Sequence, residues 1–185
     1  REAILDRVRN EEAGDAATVA AVAAGMRPPL DPPSASAPGL HDLQVPALGG
    51  GEPLSCLVQL PPEYDPLRRY PTIVSLHGAG SAPLAQVEWW AGAPDAAGIR
   101  QGQAGRRGHI VVAPAWARPG QSACEYSARE HAAVLAAVRE AARRFSIDTD
   151  RIFLSGHAVG ADAAWDVALG HPDLWAGVVL VAPTT

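Results

Sequence analysis

Short apolar runs alternate with amphipathic stretches along most of the chain. Residues 54–60 read as a strand closed by Pro61-Pro62. Residues 72–76 form a second, so continuously apolar that both faces of the strand should be covered. Residues 110–113, stopped by Pro114, residues 152–154 and residues 178–181 supply three more. Between them, residues 127–145 carry a helical stripe of Val134, Leu135, Val138, Ala142 and Phe145, with Arg129, Glu130, Arg139, Glu140 and Arg143 off that stripe. A second helix is expected over residues 161–169, with Trp165 in the core. Strands alternating with helices imply an α/β fold with a doubly wound, mostly parallel sheet.

The pattern before residue 41 is different. Residues 1–26 are alanine-rich, and Ile4, Leu5 and Val8, then Val19, Val22 and Met26, show partial helical spacing around Gly14. Pro28-Pro29, Pro32-Pro33 and Pro38-Gly39 then rule out regular structure and make a linker. The expected organisation is an N-terminal helical arm with its proline-rich linker over residues 1–40, packing on a surface, and one α/β domain over residues 41–185.

Composition narrows the function classes. With 48% hydrophobic and 19% charged residues, the 185-residue chain is globular rather than disordered. Its net charge of −5 gives no electrostatic footprint for nucleic acid. The basic residues are all arginine, which carries no functional reading. Cys56 and Cys124 are too few for a disulfide framework or a zinc site, and Cys56 reads as a small buried hydrophobe. No metal or organic cofactor is implied. No apolar run approaches the roughly 20 residues of a membrane span, and no signal peptide is visible. The compartment stays open, with a soluble cytoplasmic setting favoured.

The chemistry concentrates at two strand ends, where open α/β sheets place their ligands. Gly156-His157-Ala158-Val159-Gly160 lies between the strand at 152–154 and its following helix. This is the setting of a G-x-S-x-G nucleophile elbow, in which a sharp turn lifts a serine Oγ clear of the sheet. Position 158 is alanine, so the nucleophile is missing. His77-Gly78-Ala79-Gly80 follows the strand at 72–76, where a glycine-rich turn can aim backbone N–H groups at an oxyanion. The N–H of Val159 is the expected second donor.

These segments resemble the α/β-hydrolase superfamily, and within it the esterases related to polyhydroxybutyrate depolymerases and feruloyl esterases and the prolyl-oligopeptidase-like hydrolases. The resemblance rests on residues 60–66, 70–80 and 147–157, continues through residues 171–177, and covers roughly residues 42–185. It implies a serine nucleophile at position 158, with oxyanion donors at Ala79 or Gly80 and at Val159. His77, Gly78, Gly156, His157 and Gly160 would support the loop and the elbow. Relatives tend to carry methionine and glycine where this chain has Val159 and Ala161. The acid and histidine of the family's triad follow the nucleophile by two further strands, so the chain is expected to hold only the N-terminal portion of that fold.

The remaining polar residues offer no substitute. His171 is expected in a loop on the side of the sheet away from the site, His157 in packing, and Asp162 as a helix-start anion. His77 would fix the oxyanion loop, and His109 and His131 have no visible partner. Trp89 and Trp90, read as lying in a loop, and Trp116 are candidate walls of an acyl or aromatic pocket, balanced against ordinary packing. Two functions follow. One is a serine esterase, or less readily a peptidase, acting on a small-molecule ester and catalytically incompetent as written. The other is a natural pseudoenzyme serving as a binding or assembly module, with a C-terminal complementing chain or a second copy completing the sheet.

Overall fold

The computed structural model describes residues 37–46 and 52–184. Up to residue 36 the expected N-terminal arm lies outside the described residues. Six strands form one mixed sheet: β1 (Gly39–Val45), β2 (Leu54–Leu60), β3 (Tyr70–Leu76), β4 (Ile110–Pro114), β5 (Ile147–His157) and β6 (Gly177–Val181). Their order is β1-β2-β4-β3-β5-β6. The pairs β1–β2 and β2–β4 are antiparallel, while β4–β3, β3–β5 and β5–β6 are parallel. β1 departs from the expectation of a linker through residue 40. Its first residue is Gly39, at φ 122°, and from there it pairs with β2 over seven positions. Its alternation is hard to see because His41, Asp42 and Gln44 intersperse the apolar Leu43 and Val45, which are the residues it buries.

Four helices cover the two faces: α1 (Pro83–Ala91), α2 (Gln103–Arg106), α3 (Ala128–Arg144) and α4 (Val159–Gly170). On one face α3 and α4 pack through Val134, Ala137, Ala163 and Val167 against Val58, Val74, Val112 and Leu154. On the other, Val87 and Ala91 of α1 and Ala104 of α2 meet Ile73, Val111 and Ala113. Adjacent residues of β3 and β4 thus feed opposite cores, which is why both strands read as continuous apolar runs.

α3 buries Val134, Ala137 and Ala141, a stripe displaced from the expected Leu135, Val138 and Ala142. The cause sits at its start. Glu130, 1% exposed, accepts hydrogen bonds from the Ser127 N–H and hydroxyl (3.0 and 3.1 Å), the Glu125 N–H (3.1 Å) and Gln121 Nε2 (2.6 Å). This capping box turns Glu130 inward and ties down the loop after β4. Burial alone would raise the Glu130 carboxyl, but the four donors outweigh it and hold it below its usual range.

β5 enters α4 through a turn with almost no space between backbones. A Cβ on Gly156 would lie 2.0 Å from the Gly160 carbonyl oxygen, and one on Gly160 would lie 2.4 Å from Leu76 O and 2.6 Å from His77 O. α4 therefore rests directly on the end of β3. Val159 joins the core and Ala161 is fully buried, so the helix begins two residues earlier than its apolar spacing suggests.

Gly160→Ala should cost about 2–3 kcal/mol in chemical denaturation, because backbone rather than a flexible side chain has to move. Glu130→Gln should lower stability near neutral pH by about 2 kcal/mol. Since the folded carboxyl sits below its unfolded value of about 4.3, its contribution is complete above that pH and disappears as pH falls through the folded pKa. The variant should accordingly show a flatter acid limb in stability measured against pH.

Candidate functional site

Ala158 sits at the apex of the β5–α4 turn with φ 49° and ψ −122°, a conformation that residues bearing a Cβ rarely adopt. Its N–H donates to Val181 O (2.9 Å), and its carbonyl accepts from the Ala161 N–H (2.7 Å). The apex is thus fixed by the end of β6 on one side and by the first turn of α4 on the other. The position is half-buried and reachable.

The glycine-rich loop lies against it. A Cβ on Gly78 would sit 3.4 Å from the Ala158 methyl and 3.1 Å from His157 O. The Ser81 N–H donates to Gly78 O (3.2 Å), closing a turn with Ala79 and Gly80 at its centre. Gly80 has φ 68°, the left-handed value that a type II turn places at this position. Ala79 and Gly80 are exposed, and their N–H groups have no hydrogen-bond partner among the described residues. Val159 opens α4, so its N–H is one of the free donors of a helix start. The structure therefore brings the expected loop and elbow together.

The support beneath the loop comes from residues whose role the sequence did not reveal. Trp116 is 1% exposed and donates Nε1–H to His77 O (3.0 Å), the same carbonyl against which Gly160 packs. Arg129 Nη1 donates to Trp116 O (3.2 Å), linking α3 to this prop. His77 donates Nδ1–H to Gly78 O (3.0 Å). Asp162 accepts from the Thr184 N–H (3.0 Å) and hydroxyl, so it anchors the segment after β6 besides lying in the first turn of α4.

The three tryptophans take different places around the strand ends. Trp116 is an internal brace. Trp89 and Trp90 lie on α1, not in a loop; Pro83 at the helix start was the local signal for that helix. Trp90 donates Nε1–H to Ser75 Oγ (3.1 Å), Ser75 donates to Gln86 Oε1 (2.8 Å), and His157 donates Nδ1–H to the same oxygen (3.0 Å). Trp89, 59% exposed, meets the His157 ring edge-on with centroids 4.4 Å apart. His157 is thereby held under α1, and burial lowers its pKa. A recess of about 170 Å³ lined by Ile73, Trp90, His109, Phe153, Ser155 and Val179 opens on this same face of the sheet.

Other expected positions moved. Trp165 is 53% exposed rather than core, because α4 turns Ala161, Ala164 and Ala168 inward instead. His131 is partnered, by Asp166 and by His171, the latter at the end of α4 as anticipated. Neither cysteine is an activated nucleophile: burial pushes the Cys56 thiol up to about 12 and the Cys124 thiol up to about 11.

No protein-family profile and no curated protein matches the chain. Solved structures do. A bacterial heroin esterase superposes with a TM-score of 0.59 at 20% identity, over 90% of this chain and 50% of that one. FphF, a fluorophosphonate-binding serine hydrolase of Staphylococcus aureus, gives 0.61 at 18% identity, over 79% of this chain and 58% of that one. A CE1 ferulic acid esterase from Anaeromyces mucronatus gives 0.57 at 19% identity, over 80% and 60%. The chain spans between half and three fifths of the length of these proteins. Together with the mixed six-stranded sheet, these likenesses show that the chain has the α/β-hydrolase fold.

Proposed function

We propose that this chain carries the nucleophile elbow and oxyanion loop of a serine esterase acting on carboxylic esters of small molecules, silenced by alanine at position 158. One observation carries the reading: Ala158 keeps a backbone conformation that alanine does not favour. Such strain costs on the order of 1–3 kcal/mol and persists only where the surroundings impose it. A methyl group gains nothing from being displayed there. A hydroxyl would be presented beside the free N–H groups of Ala79, Gly80 and Val159, where an ester carbonyl could be attacked and its oxyanion held. The solved esterases with which the chain superposes favour the same chemistry.

Activation of a serine also needs a general base. His77 and His157 both donate Nδ1–H elsewhere, to Gly78 O and Gln86 Oε1, and the remaining basic nitrogen of His157, Nε2, is buried away from solvent. The elbow therefore supplies attack geometry and oxyanion stabilisation but not the proton acceptor.

A second reading, a binding or assembly module, is favoured by the outer strand. Among the described strands β6 pairs only with β5, and Val178 and Val179 on it are exposed, as are Trp165 and Leu169 on α4. Such an edge templates pairing with another chain unless something covers it. A chain that stays monomeric at every concentration in light scattering would count against this reading.

Ala158→Ser should become labelled by a fluorophosphonate at the introduced hydroxyl alone, while the parent chain stays unlabelled and hydrolyses p-nitrophenyl acetate no faster than buffer. Labelling of the folded variant should be slow, and multiple turnover absent, for want of the base. A folded Ala158→Ser variant inert to the probe would overturn the esterase reading. Ala158→Gly should raise stability by about 1 kcal/mol, relieving the strain at the apex; a loss of stability would show the turn to be unstrained.

A further inference from the structure

A second group of reactive side chains lies on the α3–α4 side of the sheet, outside the elbow. His131, in the first turn of α3, places Nε2 2.8 Å from Asp166 Oδ2 and Nδ1 3.1 Å from His171 Nε2. The two imidazoles stand at 62° with centroids 5.2 Å apart. His131 and Asp166 are 22% and 31% exposed, so solutes reach the group. Gly170 keeps the gap open: a Cβ there would lie 2.8 Å from His131 Cε1 and 3.1 Å from Nδ1.

We propose that His131 Nδ1 and His171 Nε2 together bind one divalent transition-metal ion of the imidazole-preferring kind, Cu²⁺ or Zn²⁺, with Asp166 orienting His131. A tetrahedral ion with metal–nitrogen bonds near 2.05 Å sets two ligand nitrogens about 3.3 Å apart. The observed 3.1 Å separation is close to that, and both rings turn to aim their lone pairs at an ion off the line between the two nitrogens. Asp166 accepts the Nε2–H of His131, which leaves a lone pair on Nδ1; a carboxylate behind a ligating histidine fixes its tautomer in this way. In the metal-free chain His171 donates Nε2–H to that lone pair. On binding, His171 carries its proton on Nδ1 instead, and both freed lone pairs are given to the ion. Both rings stay neutral and no net proton is released.

Among the described residues no third histidine, cysteine or carboxylate converges on the same point. Water therefore completes the coordination shell, and the ion is exchangeable. Cys124 stays a thiol, with its Sγ–H 3.8 Å from Glu130 Oε2 and its pKa pushed up to about 11. With two imidazoles and water, Cu²⁺ should bind more tightly than Zn²⁺. The ion would clamp the start of α3 to the end of α4, the helix that begins at the elbow, and so favour the folded chain by linkage.

The test is titration of the full 185-residue chain with Cu²⁺ near neutral pH, followed by calorimetry and electron paramagnetic resonance. One equivalent with the hyperfine pattern of two imidazole nitrogens is expected, and Zn²⁺ should raise the thermal midpoint. His171→Ala, at the end of α4, should abolish that equivalent. Asp166→Asn should weaken binding about tenfold, and His109→Ala should leave it unchanged. Paramagnetic broadening in the unmutated chain gives a readout that no variant's folding can confound, and it should fall on the His131 and His171 ring signals first. Absence of a stoichiometric equivalent, its survival in His171→Ala, or broadening centred on other histidines would overturn the proposal.

Discussion

The close approach of α4 to the end of β3 is the constraint on which the site depends. Gly156 and Gly160 let one backbone lie on another with no side chain between them, and a methyl at either place would collide with a carbonyl oxygen. That contact fixes the angle at which β5 turns into α4, and with it the backbone angles of Ala158. It also puts the Val159 N–H on the same side as the loop that follows β3. Loop and elbow are therefore positioned by one contact, not by two independent devices.

Around that contact the protein links buried polar groups into hydrogen-bonded chains. The His77 carbonyl takes the indole N–H of Trp116, Trp116 is itself held by Arg129, and the loop between Trp116 and α3 is gathered by the buried Glu130. On the opposite face Ser75, Gln86, Trp90 and His157 share a chain of hydrogen bonds beneath the strand ends. Buried polar networks of this kind stabilise only when each member is satisfied. Two atoms on that face, Ser155 Oγ and His157 Nε2, are buried without a partner among the described residues. Both lie on β5, beside the outer strand β6, whose Val178 and Val179 are exposed.

Strain at Ala158 bears on which residue suits the position. If selection had acted on stability alone, glycine would suit position 158 better than alanine, because it accepts a positive φ at little cost. Alanine is held in this conformation by its surroundings, the contact of α4 with the end of β3 among them. The His131–Asp166–His171 group is independent of that contact, since it joins helices rather than strand ends.

How much could be read in advance depended on whether the signal was local. Runs such as residues 72–76 and 110–113 declared buried strands because apolar residues on both faces leave few alternatives, and Gly156 and Gly160 marked the tight turn because only glycine fits there. β1 was obscured by Asp42 and Gln44 on its exposed face and by a polar His41 on the face it buries, and α1 by an apolar segment with little periodicity. The burial of Glu130 moved the stripe of α3 by one residue, a shift that requires knowing where Gln121 and Glu125 lie. Local sequence thus determined the strand–turn–helix grammar and which side chain stands at the turn's apex, because backbone sterics and the chemistry of one side chain are properties of a few adjacent residues. Tertiary structure alone decided that Trp116 braces His77, that Trp89 packs on the His157 ring while Trp90 bonds Ser75, and that His131 meets His171 forty positions later in the chain. Those are distances between elements, and only the packed sheet and helices set them.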